Sequence, residues 1–215
     1  MKFLNLLITL VILPTILLAQ SFEGKIVYKM TYKDLPSEME GMEDMLPKNQ
    51  TIWIKGTKNR FEQKMSQGST IVISDSEVGT STILMDMMGQ KYKLAITKEE
   101  MEAMIGSQSN PEIKYVAGTK DIAGYTCKKA EVTMDGFDGT AVFYYTEEIP
   151  AVKVQGMEAL ELKGMFMAYE ASMQGMTISI EVGSIDRSPV NDDIFKVPEG
   201  YSEMPDQIKG MLGIK

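Results

Sequence analysis

Cys127 is the one cysteine of this chain, and its thiol is the first side chain to weigh for chemistry. It stands within G-T-K-D-I-A-G-Y-T-C-K-K-A-E-V, which runs from Gly118 to Val132, and Lys128 and Lys129 follow it directly. Neighbouring ammonium groups lower the pKa of a thiol, so a reactive or disulfide-pairing cysteine is one interpretation. A small packed hydrophobe is the other. By strand alternation Cys127 shares a face with Glu131, so we expect an outward thiol unless a bulge turns it inward.

Histidine is absent from the sequence, and its absence excludes most common catalytic arrangements. Ser-His-Asp and Cys-His catalysis, imidazole-ligated zinc and the usual general base near neutral pH all need it. No GxGxxG or GxxxxGK[ST] loop is present to cradle phosphates. Carboxylate chemistry is left open, but a sequence alone cannot pair carboxylates across a fold. We therefore predict a protein that is not an enzyme, with no catalytic residue and no cofactor.

Methionine is unusually abundant, with 19 residues in the chain. Its flexible thioether fills irregular apolar space and repacks around varied partners. Methionine here either replaces leucine in the core, lines a groove for apolar ligands of variable shape, or ligates Cu(I). The spacings Met39-x-x-Met42-x-x-Met45 and Met85-x-Met87-Met88 suit copper. Helical and strand periodicity explain much of both, however, so we assign no metal ligand.

The charge balance argues against anionic partners. The formal net charge is −8, from 22 basic and 30 acidic residues. A chain of this sign repels phosphate backbones and anionic headgroups, so we expect no nucleic-acid partner. Asp135-Gly-Phe-Asp138-Gly lacks the regular oxygen spacing and closing glutamate of a calcium loop, and it predicts a hairpin turn instead.

Residues 1–19 have the pattern of a secretory signal peptide. Lys2 supplies a basic start, and the apolar run from Phe3 to Leu18 is short for a membrane span and contains Pro14. Cleavage after Ala19 leaves no integral membrane span in the mature chain. We therefore predict a soluble periplasmic or secreted protein in which residues 20–215 form one domain.

Period-two alternation of apolar residues predicts that most of the mature chain is β-strand. In Lys25–Tyr32, for example, Ile26, Tyr28 and Met30 face one way while lysines face the other. Similar alternation recurs in Thr51–Lys55, Lys91–Ile96, Ala130–Met134, Ala141–Thr146, Leu160–Tyr169 and Thr177–Ile185. Glycine-rich turns separate these runs, as expected for an antiparallel meander.

Two segments have helical spacing instead. Ser37-x-x-Glu40 is a capping box, and Leu35, Met39, Met42 and Leu46 then fall on one face. Thr97-x-x-Glu100 repeats the signature, with Met101, Met104 and Ile105 on one face. A third helix is expected at Asp206–Leu212. The first two helices are predicted to be short and to pack their methionine faces inward.

The stretch around Cys127, Asp121-Ile-Ala-Gly-Tyr-Thr-Cys-Lys-Lys-Ala130, resembles the central motif of the exported domain-of-unknown-function family DUF4412. Phe22-Glu-Gly-Lys-Ile-Val-Tyr28 is similar to the start of its members, and Asp193-Ile-Phe-Lys-Val-Pro-Glu-Gly-Tyr201 is similar to an ending shared with periplasmic lipoprotein carriers of the LolA/LolB type. The resemblance implies an α+β fold, mostly antiparallel β: a strongly curved sheet, or half-open barrel, with short helices across its concave face. It implies no established activity.

The combined pattern predicts a non-enzymatic exported binding protein that holds an apolar ligand, lipid or lipidated chain in a methionine-rich groove. The residues expected to line it are Tyr28, Met30, Met39, Met42, Ile54, Met101, Met104 and Phe166. An envelope interaction module with a filled core, whose partner is another protein, is the first alternative. A methionine-based Cu(I) binder is the second.

Overall fold

The structure is a computed structural model, and it describes residues 22–39, 41–100, 110–152, 157 and 159–211. The predicted signal peptide, residues 1–19, therefore lies outside the described residues. The predicted groove residues Met101 and Met104 lie outside them as well. In the part of the chain that is described, no helix combines the length and apolarity needed to cross a membrane.

Antiparallel β-structure dominates the described residues, which form one sheet of 12 strands. The strands are β1 Glu23–Lys33, β2 Asn49–Lys55, β3 Lys58–Met65, β4 Gly68–Asp75, β5 Thr80–Met87, β6 Gln90–Ile96, β7 Glu112–Ile122, β8 Tyr125–Thr133, β9 Thr140–Thr146, β10 Met165–Met173, β11 Met176–Asp186 and β12 Ser202–Glu203. Their order is β12-β6-β5-β4-β3-β2-β1-β11-β10-β9-β8-β7, and the described residues do not close it into a barrel. The mostly antiparallel β-fold with few short helices was correctly predicted.

Two meanders meet at β1. Strands β2–β6 follow one another outward on one side of β1, and β7–β11 return from the far edge to its other side. β1 pairs with β2 through Ile26 and Ile52, and with β11 through Ile26 and Ile185. Among the strands of the described residues, only the two-residue β12 departs from the antiparallel pattern, pairing in parallel with β6. The sheet thus has a β2–β6 half and a β7–β11 half, with β1 between them.

The turn predicted at Asp135–Gly139 is confirmed, since it joins the paired strands β8 and β9. Asp138 ties this turn to the next one: its Oδ2 accepts a hydrogen bond from the Gly175 amide at 2.8 Å, and its own amide donates to the Ser172 carbonyl at 2.6 Å. Its carboxylate therefore holds two neighbouring turns together. No cluster of three or more carboxylate, thiol or imidazole groups able to hold a metal ion occurs among the described residues.

The continuous helix predicted from Leu35 to Leu46 is wrong. Two separate 3₁₀ turns stand there, Ser37–Met39 and Glu43–Met45. Gly41 lies between them with φ of +79°, and this left-handed conformation cannot continue a right-handed helix. As a result the apolar positions no longer share one face, and Met42 is 42% exposed rather than turned inward.

The second predicted capping box is confirmed. The Thr97 amide donates to Glu100 Oε2 at 2.8 Å, and the Glu100 amide donates to Thr97 Oγ1 at 3.2 Å. These reciprocal bonds satisfy two amides that have no partner within a helix start. The C-terminal helix, Asp206–Met211, is also found where it was predicted.

The main hydrophobic core lies on one face of β1 and the β7–β11 half. Its aromatic centre is the stack of Phe143 on Tyr169, with ring centroids 4.8 Å apart. The connection between β9 and β10 packs against it through Ile149, which is fully buried, and Leu162, which is 8% exposed. This half of the sheet is therefore covered by its own connecting segment.

The C-terminal segment crosses the opposite face of the β2–β6 half. Lys55 Nζ donates to the Val190 carbonyl at 3.0 Å, and Arg60 donates to the Ile194 carbonyl at 3.2 Å. Farther along, the Met204 amide donates to the Lys93 carbonyl at 2.9 Å. On this face Leu84 is fully buried although strand alternation places it opposite the main core. The two halves of the sheet are thus covered on different sides.

Candidate functional site

The β2–β6 half, together with β1, presents two chemically distinct faces. The ladders from β1 to β6 run without a register shift, so alternate side chains line up across all six strands. The even-numbered residues of β1, β2, β4 and β6 and the odd-numbered residues of β3 and β5 form one face. It continues the side of β1 on which the main core lies. This surface is called the uncharged face below, and its opposite the charged face.

The uncharged face carries no Asp, Glu, Lys or Arg from strands β1–β6, all of whose residues are described. The charges of the six strands are on the other side: Glu23, Lys25, Lys29, Lys33, Lys55, Lys58, Arg60, Glu62, Lys64, Asp75, Asp86, Lys91 and Lys93. A surface without charge can be removed from water at low cost, because desolvating an unpaired charge is far more expensive than desolvating neutral groups. This face is therefore suited to contact with an apolar body.

An apolar cross-strand row runs along the uncharged face and becomes more accessible with distance from β1. Its members, in register, are Ile26, Ile52, Phe61, Val72, Ile83 and Leu94. Ile26, Ile52 and Phe61 are 0%, 1% and 7% exposed. Val72, Ile83 and Leu94 are only half-buried. The core thus fills the near end of the row, whereas its far end, on β4–β6, is only half-buried.

A second row beside the first carries polar groups. In register it comprises Tyr28, Gln50, Gln63, Thr70, Met85 and Tyr92. The Tyr28 hydroxyl donates to the Phe166 carbonyl at 2.9 Å, and burial raises the pKa of Tyr28 well above its ordinary value. At the far end the Tyr92 hydroxyl donates to Gln90 Oε1 at 2.7 Å. Every group in this row is neutral at ordinary pH.

One border of the uncharged face is formed by Tyr32 and the segment between β1 and β2. The Tyr32 hydroxyl donates to the Pro47 carbonyl at 2.8 Å, and burial raises its pKa to about 12. Met39, in the first 3₁₀ turn, is half-buried. At the hairpin ends of the same face Met65 and Met87 are 41% and 45% exposed. Flexible thioethers at a border can adapt to the shape of what they contact.

The predicted groove residues separate into two groups. Tyr28, Ile54 and Phe166 are at most 5% exposed and belong to the main core, where the Tyr28 and Phe166 rings are 5.1 Å apart. The void beside Phe166 measures only about 10 Å³, too little for any ligand. Met30 and Met39 are half-buried, and Met30 packs against the main core. The structure therefore brings Tyr28 and Phe166 together within the main core.

Sequence reasoning did not assign five residues of the uncharged face to a site, namely Gln50, Gln63, Val72, Ile83 and Leu94. A signal was present for β6, where Leu94 alternates with Lys93. In β4 the run Ile71-Val72-Ile73 is apolar on both faces, so alternation could not reveal which side faces a site. Ile71, on the charged face, is 6% exposed and packs on the side crossed by the C-terminal segment.

A groove of about 560 Å³ lies on the charged face of this half. Trp53 lies in it, with the Lys25 ammonium 5.5 Å and the Arg60 guanidinium 5.8 Å from its ring centroid. Glu62 pairs with Arg60 at 2.9 Å and with Lys64 at 3.2 Å. The aromatic and charged groups of this groove thus already contact one another. The uncharged face is therefore the stronger candidate for a ligand-binding site.

Cys127 lies on the face of β8 opposite Phe143, as alternation predicts, but the expected exposure is wrong, because its side chain is 0% exposed and packs with the main core. Its cross-strand neighbour Lys120 extends over Tyr144, 5.7 Å from the ring centroid, to pair with Glu181. This side of β8 is therefore closed. Burial raises the pKa of the thiol to about 11, and Lys128 pairs with Glu147 instead of activating it. The burial of Cys127 and its raised pKa agree with the interpretation of this residue as a small packed hydrophobe.

Comparison with known proteins places the fold but not a family. No family model matches the chain, so membership of DUF4412 stays a prediction. No curated protein matches it either. PNGF-II is similar in its C2 and P2₁ space groups, with TM-scores of 0.54 and 0.55 at 14% and 13% identity. These matches cover 89% and 90% of this chain but only 32% and 34% of PNGF-II, so the chain spans about a third of that protein.

Two lipoproteins overlap more loosely. LppX of Mycobacterium tuberculosis has a TM-score of 0.41 at 11% identity, over 79% of this chain and 89% of its own. LprF of Mycobacterium bovis has a TM-score of 0.36 at 12% identity, over 85% and 92%. Overlaps of this quality do not carry a functional argument.

Proposed function

We propose that this chain is an exported, non-enzymatic binding protein that holds an uncharged, apolar ligand against the uncharged face of β4–β6. The observation that carries the proposal is the row Ile26 to Leu94, whose members are buried at one end and half-buried at the other. Apolar area removed from water stabilises a complex by about 25 cal/mol per Å². A ligand that lies on the accessible end gains this without desolvating any charge.

One ion pair at the β7–β11 end supports the curved sheet that the proposal assumes. In a flat sheet β7 and β11 would lie about 19 Å apart, four strand spacings of about 4.8 Å. Lys120 on β7 nevertheless pairs with Glu181 on β11 at 2.5 Å. Since the two side chains together reach much less than 19 Å, the sheet must bend at this end. A half-open barrel of the predicted kind accommodates that bend.

The export part of the proposal rests on residues 1–19 and places the protein in the periplasm or outside the cell. It is checked by the intact mass of the protein purified from cells that make the full-length chain. We expect a mature protein that begins near Gln20. A full-length mass in the membrane fraction would contradict export of a soluble protein.

Ligand binding is tested with diphenylhexatriene, an uncharged hydrocarbon probe that becomes fluorescent in apolar surroundings. We expect wild type to bind it and Leu94→Glu to weaken binding at least tenfold, because the variant places a charge in the contact. Met88→Glu is the matched control, since Met88 is 83% exposed in the β5–β6 turn. Unchanged far-UV circular dichroism shows that each variant folds.

Absence of probe binding by wild type would overturn the proposal and favour the interaction-module interpretation. Equal loss in Leu94→Glu and Met88→Glu would show that binding is not located on the uncharged face.

A further inference from the structure

Gln50 is a buried amide that the protein itself does not satisfy. It is 5% exposed, on the uncharged face between Tyr28 and Gln63. A glutamine side chain carries two donors and an acceptor, yet that of Gln50 makes no hydrogen bond with any described residue. Such a residue is a candidate for recognition of a ligand.

The Gln50 amide is not fully sealed from solvent. Among the described residues, no side-chain nitrogen or oxygen that is fully sealed from solvent lacks a partner. Because Gln50 lacks one, its amide atoms keep some contact with solvent, although the residue as a whole is 5% exposed. Gln50 thus combines a buried stem with a polar end that no described residue satisfies.

Two neighbours extend the same chemistry across the sheet. Gln63, opposite Gln50, donates to the Met30 thioether at 3.4 Å, which is a weak acceptor, and its carbonyl oxygen is unused within the described chain. Thr70, opposite Gln63, has no hydroxyl partner among the residues described. Gln50, Gln63 and Thr70 therefore form a strip of neutral donors and acceptors, called the amide strip below. It runs beside the apolar row.

We propose that the amide strip binds the neutral polar group of an amphiphile, an ester, amide or hydroxyl, whose hydrocarbon part lies on Val72, Ile83 and Leu94. This inference rests on the proposed function and names the class of ligand. Amides both donate and accept, which matches groups that do the same without charge. The uncharged face offers no Lys or Arg to a carboxylate or phosphate, so an anionic head loses its hydration without gaining a counter-ion.

The test is competition against bound diphenylhexatriene by two ligands of equal chain length, 1-decanoylglycerol and decanoate. In wild type we expect the neutral ester to displace the probe at a concentration at least tenfold below that of decanoate. Gln50→Met with Gln63→Met keeps the volume but removes the amides, and we expect the ratio to fall below threefold. Gln67→Met, at an exposed turn position, is the matched control and should keep the wild-type ratio.

The outcomes separate the two proposals. If wild type does not bind diphenylhexatriene, both fail. If it binds the probe but decanoate competes equally well, or if the double variant keeps the tenfold preference, the amide-strip inference is overturned and the binding function stands. If the double variant does not fold by circular dichroism, Gln63→Met alone decides, because Gln63 is half-buried and its loss should lower the ratio by about threefold.

Discussion

The two halves of the sheet use the same continuous face in opposite ways. In the β7–β11 half that face is filled, with Phe143 fully buried under Tyr169 and the β9–β10 connection. In the β2–β6 half it is left half-buried at Val72, Ile83 and Leu94. Strand alternation is similar in both. What differs among the described residues is the cover: the β9–β10 connection packs on this face of one half, whereas the C-terminal segment crosses the opposite face of the other half.

The largest expected effect is a difference in stability between equivalent truncations in the two halves. Phe143→Ala removes a fully buried, stacked ring and should lower the free energy of unfolding by about 3–5 kcal/mol. Leu94→Ala on the uncharged face should cost about 1 kcal/mol, because its side chain is already partly hydrated. Urea unfolding followed by circular dichroism measures both. Equal losses would mean that the uncharged face is as tightly packed as the core.

An intermediate effect is expected on the charged face, where the C-terminal segment is held. Burial raises the pKa of Glu62, but hydrogen bonds from Arg60 and Lys64 outweigh it and leave that pKa below its usual value. A lowered pKa stabilises the fold above the unfolded-state pKa, near 4.3, and the contribution is lost as the pH falls through the folded-state value.

Glu62→Gln should therefore be less stable than wild type by about 1–2 kcal/mol at pH 7. The difference should shrink steadily as the pH is lowered from 5 to 3. Thermal unfolding across this range checks the prediction. A difference that stays constant with pH would show that lost packing, and not the charge, is responsible.

The smallest effect is expected at Cys127. Cys127→Ser should cost about 1 kcal/mol, since it replaces a small buried thiol by a more polar hydroxyl. Because the folded pKa is raised to about 11, the thiol's contribution is present below the unfolded value, near 8.5, and is lost as the pH rises towards 11. Native protein should react with iodoacetamide at pH 8 far more slowly than urea-unfolded protein. Rapid alkylation of the native form would restore the reactive-thiol interpretation.

Local patterns predicted local structure well. Alternation located β1, β2 and β6, and the Thr97–Glu100 capping box forms both of its expected hydrogen bonds. Where the outcome depended on distant segments, the sequence was insufficient. β10 begins at Met165 rather than Leu160, because the preceding residues belong to the connection that covers the core.

The candidate site was harder to predict than the fold. Tyr28 and Phe166 were rightly placed on an inward face, but only three-dimensional packing shows that they fill each other's space. Gln50, Gln63 and Thr70 are separated in sequence, and their alignment depends on the register of two ladders. A polar residue within an alternating strand offers no hint that its cross-strand neighbours are polar too.

The parallel pairing of β12 with β6 has a consequence for how this protein behaves among copies of itself. An uncovered strand at the end of a sheet offers free amides and carbonyls to any other extended chain. Ser202 and Glu203 occupy that position on β6, and Glu203 adds an ion pair to Lys93 at 3.0 Å. β12 therefore occupies the edge of β6 at Tyr92 and Lys93, so that at these positions the sheet offers no free ladder partner to another copy.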